Sequence, residues 1–141
     1  MTSCKAATSG RGDGAGGDVP ERVLGVDPGL GTTGYAVLQW TGNKLRVEEA
    51  GVIRARSRGS LAERVAEIHR GLVDVIAALH PTVMALEELY SHYKRPRTAI
   101  LMGHARGVIC LAAAQAAKSD IPVGKVDITS IQRALGQRAD R

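Results

Sequence analysis

Short apolar runs separated by turn residues dominate the first part of the chain. Val23 to Asp27 is an apolar run that stops at Pro28-Gly29, and it predicts a buried strand ending in an acid and a turn. The β-rich segment 32–39 predicts a second strand, and a Gly42-Asn43 turn separates it from a third, alternating segment at 44–53. We therefore expect an antiparallel meander of three strands.

The spacing of apolar residues becomes helical after residue 60. Apolar positions recur every three or four residues between Leu61 and Leu79, and Ser60 with Glu63 forms a capping box before them. Pro81 ends this helix, and the apolar run 82–86 predicts a fourth strand.

A second helix is predicted from Pro96 to about Ala117, followed by a strand at 121–128 and a short helical piece at 129–135. The order β-β-β-α-β-α-β-α predicts an α/β fold of the ribonuclease-H-like kind, a mixed sheet with helices on its faces. Residues 1–22, rich in Gly and Ser, are expected to form a disordered tail, and 23–141 a single domain.

Size and composition remove several classes of protein. A chain of 141 residues is too short for a two-lobed sugar kinase, and no apolar run is long enough to span a membrane. Two cysteines are too few for a disulfide framework or a cysteine zinc site, which favours a cytoplasmic protein. Because Cys110 lies in an apolar run, we expect it to be a buried, inert thiol.

The positive charge is unevenly distributed. The net charge is +5, and Leu89 to Ser119 contains five basic residues and no acid. A second basic cluster consists of Arg54, Arg56 and Arg58. Both clusters are compatible with a solvated surface, but together they favour an anionic partner.

Two acids, Asp27 and Glu87, stand at the ends of predicted buried strands. Each taken alone fits a turn cap or a salt bridge equally well. In the predicted layout their strands are neighbours, so both carboxylates could reach one point. Oxygen ligands without nearby His or Cys suit Mg²⁺ or Mn²⁺, and paired ions of this kind hydrolyse phosphodiesters. Glu88 is expected to point to the opposite face.

At these positions the chain resembles a known family, the RuvC-type crossover junction endodeoxyribonucleases, or Holliday junction resolvases. The resemblance is carried by Gly25-Val26-Asp27-Pro28-Gly29 with Thr33-Gly34-Tyr35, by Ala85-Leu86-Glu87 with Leu89-Tyr90, by Gly103-His104-Ala105-Arg106-Gly107-Val108 and by the segment 136–141. These motifs occur in the family's order and spacing.

The resemblance implies a homodimer that resolves four-way DNA junctions in recombination and repair by paired symmetric nicks, with Mg²⁺ or alternatively Mn²⁺. It implies that Asp27 and Glu87 are catalytic, metal-binding acids. It also implies branch-migration helicase proteins as partners. The residues expected to contact DNA are Tyr90, Lys94, Arg95, Arg97, Arg106 and Arg138.

The sequence departs from the family pattern at its end. The family's later catalytic acids lie on a final helix that has no counterpart before Arg141. We therefore expect weaker metal binding and an exposed apolar sheet face. A non-catalytic remnant that binds junction DNA stays open as an alternative. An actin-like phosphate-binding ATPase fragment is a further alternative, because 25–34 also resembles the phosphate loop of that fold.

Overall fold

The computed structural model describes residues 21–56, 58–88, 95–116 and 121–126. Its elements follow the order β1 (Arg22–Asp27), β2 (Thr32–Thr41), β3 (Lys44–Arg54), α1 (Leu61–Leu79), β4 (Val83–Glu87), α2 (Pro96–Ala114) and β5 (Val123–Val126). The predicted order of elements is confirmed up to the fifth strand. Of the predicted tail 1–22, residues 1–20 lie outside the described residues, as does the helical piece at 129–135, whereas Arg22 is the first residue of β1.

The five strands form one mixed sheet in the order β3-β2-β1-β4-β5. The meander predicted from the sequence is confirmed, since β1 pairs with β2 and β2 with β3 in antiparallel fashion. The crossover through α1 then places β4 parallel to β1, and β5 pairs parallel to β4. Strand β1 therefore occupies the centre of the sheet, with β4 beside it.

Helix α1 lies where its capping residues predict. The Ser60 side chain accepts from the Glu63 backbone N–H at 3.2 Å, and the Glu63 carboxylate accepts from the Ser60 backbone N–H at 2.6 Å. The helix ends at Leu79, whose carbonyl oxygen accepts a 2.6 Å hydrogen bond from Arg22 Nη1. Since Arg22 begins β1, this bond holds the end of α1 at the start of β1.

Both helices contribute to a core on one face of the sheet. The apolar residues of this core are fully or almost fully buried; the largest are Leu24, Val37, Ile68, Leu72, Met84, Leu86 and Ile109. Side chains two residues apart along a strand point to the same face, which explains why alternate residues of the central strands belong to this core. Burying these side chains is the main favourable contribution to folding.

The opposite face of the sheet is apolar and remains accessible within the described part of the chain. Its residues include Trp40, Val47 and Val52, which are 49%, 60% and 50% exposed. The register places Val52 opposite Gly34 and Gly34 opposite Asp27, so this is the face that carries Asp27. The expected exposed apolar sheet face is thus present among these residues.

Helix α2 is apolar around most of its surface, and only one side of it is buried. Ala105, Ile109, Ala112 and Ala113 form that side. Cys110 is an exposed free thiol, so the prediction that it is buried is wrong. The apolar run around Cys110 could not show which side of the helix meets the core. No helix in the described ranges has the length and hydropathy needed to cross a bilayer.

Candidate metal centre

The turn after β1 fixes the position of Asp27. Thr33 is fully buried, and its hydroxyl donates to the Gly29 carbonyl at 2.8 Å and accepts from the Gly29 N–H at 3.3 Å. Leu30, only 7% exposed, anchors the same turn in the core. A Cβ on Gly29 would overlap the carbonyl oxygen of Thr32, so this tight turn requires glycine.

The strand register brings the two predicted acids together. Val26 pairs with Leu86 in the parallel β1–β4 ladder, and Asp27 and Glu87 each follow by one residue. Two adjacent parallel strands therefore end in a carboxylate on the same face of the sheet. Asp27 is exposed and Glu87 half-buried. A Cβ on Gly34, across from Asp27, would lie 3.8 Å from the Asp27 Cβ, so glycine keeps the space beside that acid open.

The proximity of the two carboxyl groups changes their ionisation. A side-chain hydrogen bond with Asp27, followed by burial and by the charge of Asp27, raises the pKa of Glu87 to about 7 from its ordinary value of 4.5. A second carboxylate this close disfavours the charged form of Glu87, which is the cause of its raised pKa. A divalent cation placed between them would relieve the same repulsion.

Arg106 on α2 approaches this pair from the core side. Its positive charge opposes the rise in the pKa of Glu87, which places its guanidinium within electrostatic reach of that carboxylate. Arg106 is half-buried, and its Nη1 is fully buried without a hydrogen-bond partner among the described residues. Sequence reasoning grouped Arg106 with the DNA contacts and did not foresee its closeness to Glu87.

The other predicted DNA contacts divide into two groups. Arg95 and Arg97 are exposed at the start of α2, which follows the β4 strand that carries Glu87. Tyr90, Lys94 and Arg138 lie outside the described residues.

The sequence analysis also missed the structural role of Thr33, whose hydroxyl bridges the Gly29 backbone. A Thr four residues after a turn glycine is a usable signal for such a contact.

The donor set suits a hard divalent cation. Asp27 and Glu87 supply only carboxylate oxygens, the ligands that Mg²⁺ and Mn²⁺ prefer. Within the described ranges no group of three or more His, Cys, Asp or Glu could hold a metal ion. These residues therefore offer a two-carboxylate site that leaves most coordination positions to water or substrate oxygens.

A shallow cavity of about 410 Å³ begins at the carboxylate pair and extends over the apolar sheet face. Its lining consists of Val23, Gly25, Val26, Asp27, Gly34, Tyr35, Ala36, Leu38, Ala85 and Glu87. The carboxylates thus lie at one end of an otherwise apolar depression.

Comparison with known proteins gives a consistent match. The family model described as crossover junction endodeoxyribonuclease RuvC matches residues 23–137. A crossover junction endodeoxyribonuclease RuvC from Rhodopirellula baltica is 55% identical over 113 residues, which cover 80% of this chain and 62% of that protein. The protein of the same name from Paramagnetospirillum magneticum is 38% identical, with 81% of this chain and 66% of the relative covered.

Solved structures show the same likeness. The structure of T. thermophilus RuvC in complex with a Holliday junction substrate superposes with a TM-score of 0.72 at 27% identity, covering 82% of this chain and 69% of that one. The yeast mitochondrial Holliday junction resolvase, at 13% identity, shares the fold with a TM-score of 0.60 and coverage of 85% and 58%. These matches confirm the predicted ribonuclease-H-like fold. The chain spans about three fifths of the length of the Rhodopirellula relative.

Proposed function

The chain belongs to the RuvC family of crossover junction endodeoxyribonucleases, and we propose that it is a metal-dependent endonuclease that resolves four-way DNA junctions by paired symmetric nicks. The observation that carries this proposal is the Asp27–Glu87 pair at the ends of the two adjacent central strands. A phosphodiester must be held against its charge repulsion to be hydrolysed, and this site combines oxygen ligands with nearby cationic side chains.

Asp27 and Glu87 are the residues that would hold the cation, with Mg²⁺ the expected ion and Mn²⁺ its alternative. When bound, such an ion neutralises phosphate charge and lowers the pKa of a coordinated water. The role of Asp27, held by the clamped turn, is to present a fixed carboxylate at the exposed strand end. Because the pKa of Glu87 is raised, binding of a cation to both carboxylates should strengthen as the pH rises.

Exposed cationic side chains at the start of α2 fit a DNA substrate. Arg95 and Arg97 are exposed at the start of α2, where they would contact backbone phosphates without reading sequence. We assign Tyr90, Lys94 and Arg138 to the same DNA contacts on the strength of the family resemblance alone. The guanidinium of Arg106 is partly buried and lies within electrostatic reach of Glu87. We therefore assign Arg106 to balancing the charge of Glu87 rather than to contacting DNA.

The test is cleavage of a synthetic four-way DNA junction by the purified chain with Mg²⁺ or Mn²⁺. We expect symmetric nicks that disappear in Asp27→Asn and in Glu87→Gln. Asp74→Asn is the matched control, because Asp74 is an exposed carboxylate on α1 outside the site. Binding of the junction without nicks would support the non-catalytic remnant instead. ATP hydrolysis by the chain would support the actin-like alternative.

A homodimer is the assembly we propose, with α2 at its seam. Ile100 on this helix is 63% exposed, and a Cβ on Gly103 or Gly107 would meet nothing within 4 Å. Small residues on an exposed apolar helix allow a second helix to approach closely. Sedimentation should show a dimer for the wild type and a monomer for Gly103→Glu/Gly107→Glu. A monomeric wild type at micromolar concentration would exclude this assembly.

Branch-migration helicase proteins as partners and a cytoplasmic location remain predictions from the sequence.

A further inference from the structure

The end of the sheet that carries the carboxylates also carries a group of arginines outside the proposed site. Helix α1 ends beside the start of β1, where Arg22 contacts the Leu79 carbonyl, so α1 begins near the opposite end of β1. Two contacts agree with this direction. The Ala55 N–H donates to the Gly31 carbonyl at 3.0 Å, and Arg64 Nη2 lies 3.9 Å from the position that a Cβ on Gly31 would take.

Arg54, the last residue of β3, shares a sheet face with Asp27. It pairs with Thr32 on β2, two residues before Gly34, which pairs with Asp27 on β1. Side chains of opposed residues in antiparallel strands point to the same face, so Arg54 and Asp27 emerge on one side. The Cα atoms of Arg54 and Asp27 are about 12 Å apart, because the two residues are two strands and two residue positions away from each other. A long, exposed arginine at that distance reaches the space next to the carboxylates.

Arg58 extends the same basic segment toward α1. Residues 54–60 contain three arginines and no acid. The acids at the start of α1 already have other partners. Glu63 is held in the capping box with Ser60, and Glu67 binds Arg56 at 3.2 Å. Arg56 is thus tied to α1, whereas Arg54 and Arg58 project from exposed positions.

Arg64 supplies a second, independent observation. It is half-buried in the first turns of α1 beside the β1–β2 turn, and its Nε is fully buried without a hydrogen-bond partner among the described residues. Because Arg64 as a whole is only half-buried, the solvent-facing part of its guanidinium remains available to an anion bound at the turn. The positive end of the α1 dipole lies at the same place.

We propose that Arg54, Arg58 and Arg64, which we call the β3–α1 arginine patch, bind backbone phosphates of the DNA strand that crosses the carboxylate pair. This proposal rests on the proposed function. Arg95 and Arg97, at the start of α2, come after β4 in the chain. The strand to be cut would be held beside the scissile phosphate, with the patch one or two nucleotides away from it. Phosphate contacts of this kind fix position and add affinity that depends on salt but not on sequence.

The patch can be tested by binding alone, without cleavage. The variant Arg54→Gln/Arg58→Gln removes two charges from exposed positions, and Arg64 is left intact because its partly buried side chain also packs against the turn. The matched control is Arg46→Gln/Arg70→Gln. Arg46 is exposed near the far end of β3, and Arg70 is exposed on α1. Dissociation constants for a synthetic four-way junction and for linear duplex are measured from 50 to 300 mM salt without divalent cations.

Loss of two phosphate contacts should lower the slope of log K against log salt by about 1.8 and weaken binding by roughly 60-fold at 0.1 M salt. The control should change both quantities much less. Equal affinity and slope for the two double variants would overturn the patch while leaving the proposed function intact. A wild-type chain that binds neither junction nor duplex would overturn both proposals together.

Discussion

Replacing Asp27 by Asn should make the stability of the folded protein less dependent on pH between 4.5 and 8, although Asp27 is a proposed catalytic residue. In the wild type the pKa of Glu87 is raised to about 7, chiefly by the hydrogen bond with Asp27. The unfolded chain loses this proton near pH 4.5, so the folded state binds more protons between pH 4.5 and 7. Stability from this group is therefore fully present below pH 4.5 and is lost as pH rises through 7.

The pKa shift of Glu87 determines how much the unfolding free energy changes with pH. A rise from 4.5 to about 7 corresponds to roughly 3.4 kcal/mol at 1.36 kcal/mol per pH unit. Glu87 is only partly buried, and solvent screening reduces this figure to about 1–2 kcal/mol. In Asp27→Asn the amide donates to the Glu87 carboxylate and brings its pKa back toward the ordinary value. We expect the stability of the variant relative to the wild type to increase by about 1–2 kcal/mol between pH 4.5 and pH 8.

The assay is urea denaturation followed by circular dichroism from pH 4.5 to 8 without divalent cations. Asp74→Asn serves as the control, because it removes an exposed charge on the same chain outside the site. A ¹³C titration of the Glu87 carboxyl should give a pKa near 7 in the wild type and a much lower value in Asp27→Asn. Adding Mg²⁺ at pH 8 should stabilise the wild type and Asp74→Asn but not Asp27→Asn. If the unfolding free energies of the wild type and Asp27→Asn changed with pH in parallel, the interpretation that Asp27 raises the pKa of Glu87 would be refuted.

Three further substitutions test how the fold supports the site. Ser60→Ala removes the capping box of α1 and should cost about 1 kcal/mol of unfolding free energy, measured by urea denaturation. Gly71→Ala places a Cβ 2.6 Å from Ile53 Cγ2, so overpacking should cost about 1–3 kcal/mol in the same assay. Gly29→Ala overlaps the Thr32 carbonyl and should displace the turn after Asp27, which Mg²⁺ titration by NMR would detect as weaker binding.

Each glycine substitution has a control in the same local structure. Gly31→Ala lies in the same turn as Gly29 but would only touch Arg64 at 3.9 Å, so it should leave Mg²⁺ binding unchanged. Gly107→Ala is helical like Gly71 but meets nothing within 4 Å in the single chain, and it should not destabilise the fold at concentrations below those at which the proposed dimer forms. If Gly71→Ala and Gly107→Ala had equal effects on stability, the proposed contact with Ile53 would be wrong.

Much of the secondary structure follows from local patterns. The periodicity of apolar residues, the Ser60 capping box and the Gly42-Asn43 turn predicted the strands and α1 to within a few residues. The end of α2 was less well predicted. Helix α2 ends at Ala114, three residues before the predicted end, because no breaker residue marks that position in an alanine-rich segment.

Burial around α2 was not predictable from the same patterns. The helix is apolar on nearly every side, so its sequence carries no stripe that identifies the core face. For that reason the exposure of Cys110 and the partial burial of Arg106 emerged only from packing. The isolated sequence showed which side chains were available but not which of them face the sheet.

The sequence by itself determined the order of the elements, the turn after Asp27 and the identity of the two acids, because each depends on residues close together along the chain. Only the tertiary structure decided that Asp27 and Glu87 share a hydrogen bond, and that Arg54 and Arg64 lie at the same end of the sheet. Those relations depend on strand register and on the direction of α1. Both result from long-range packing, in which residues sixty positions apart become neighbours.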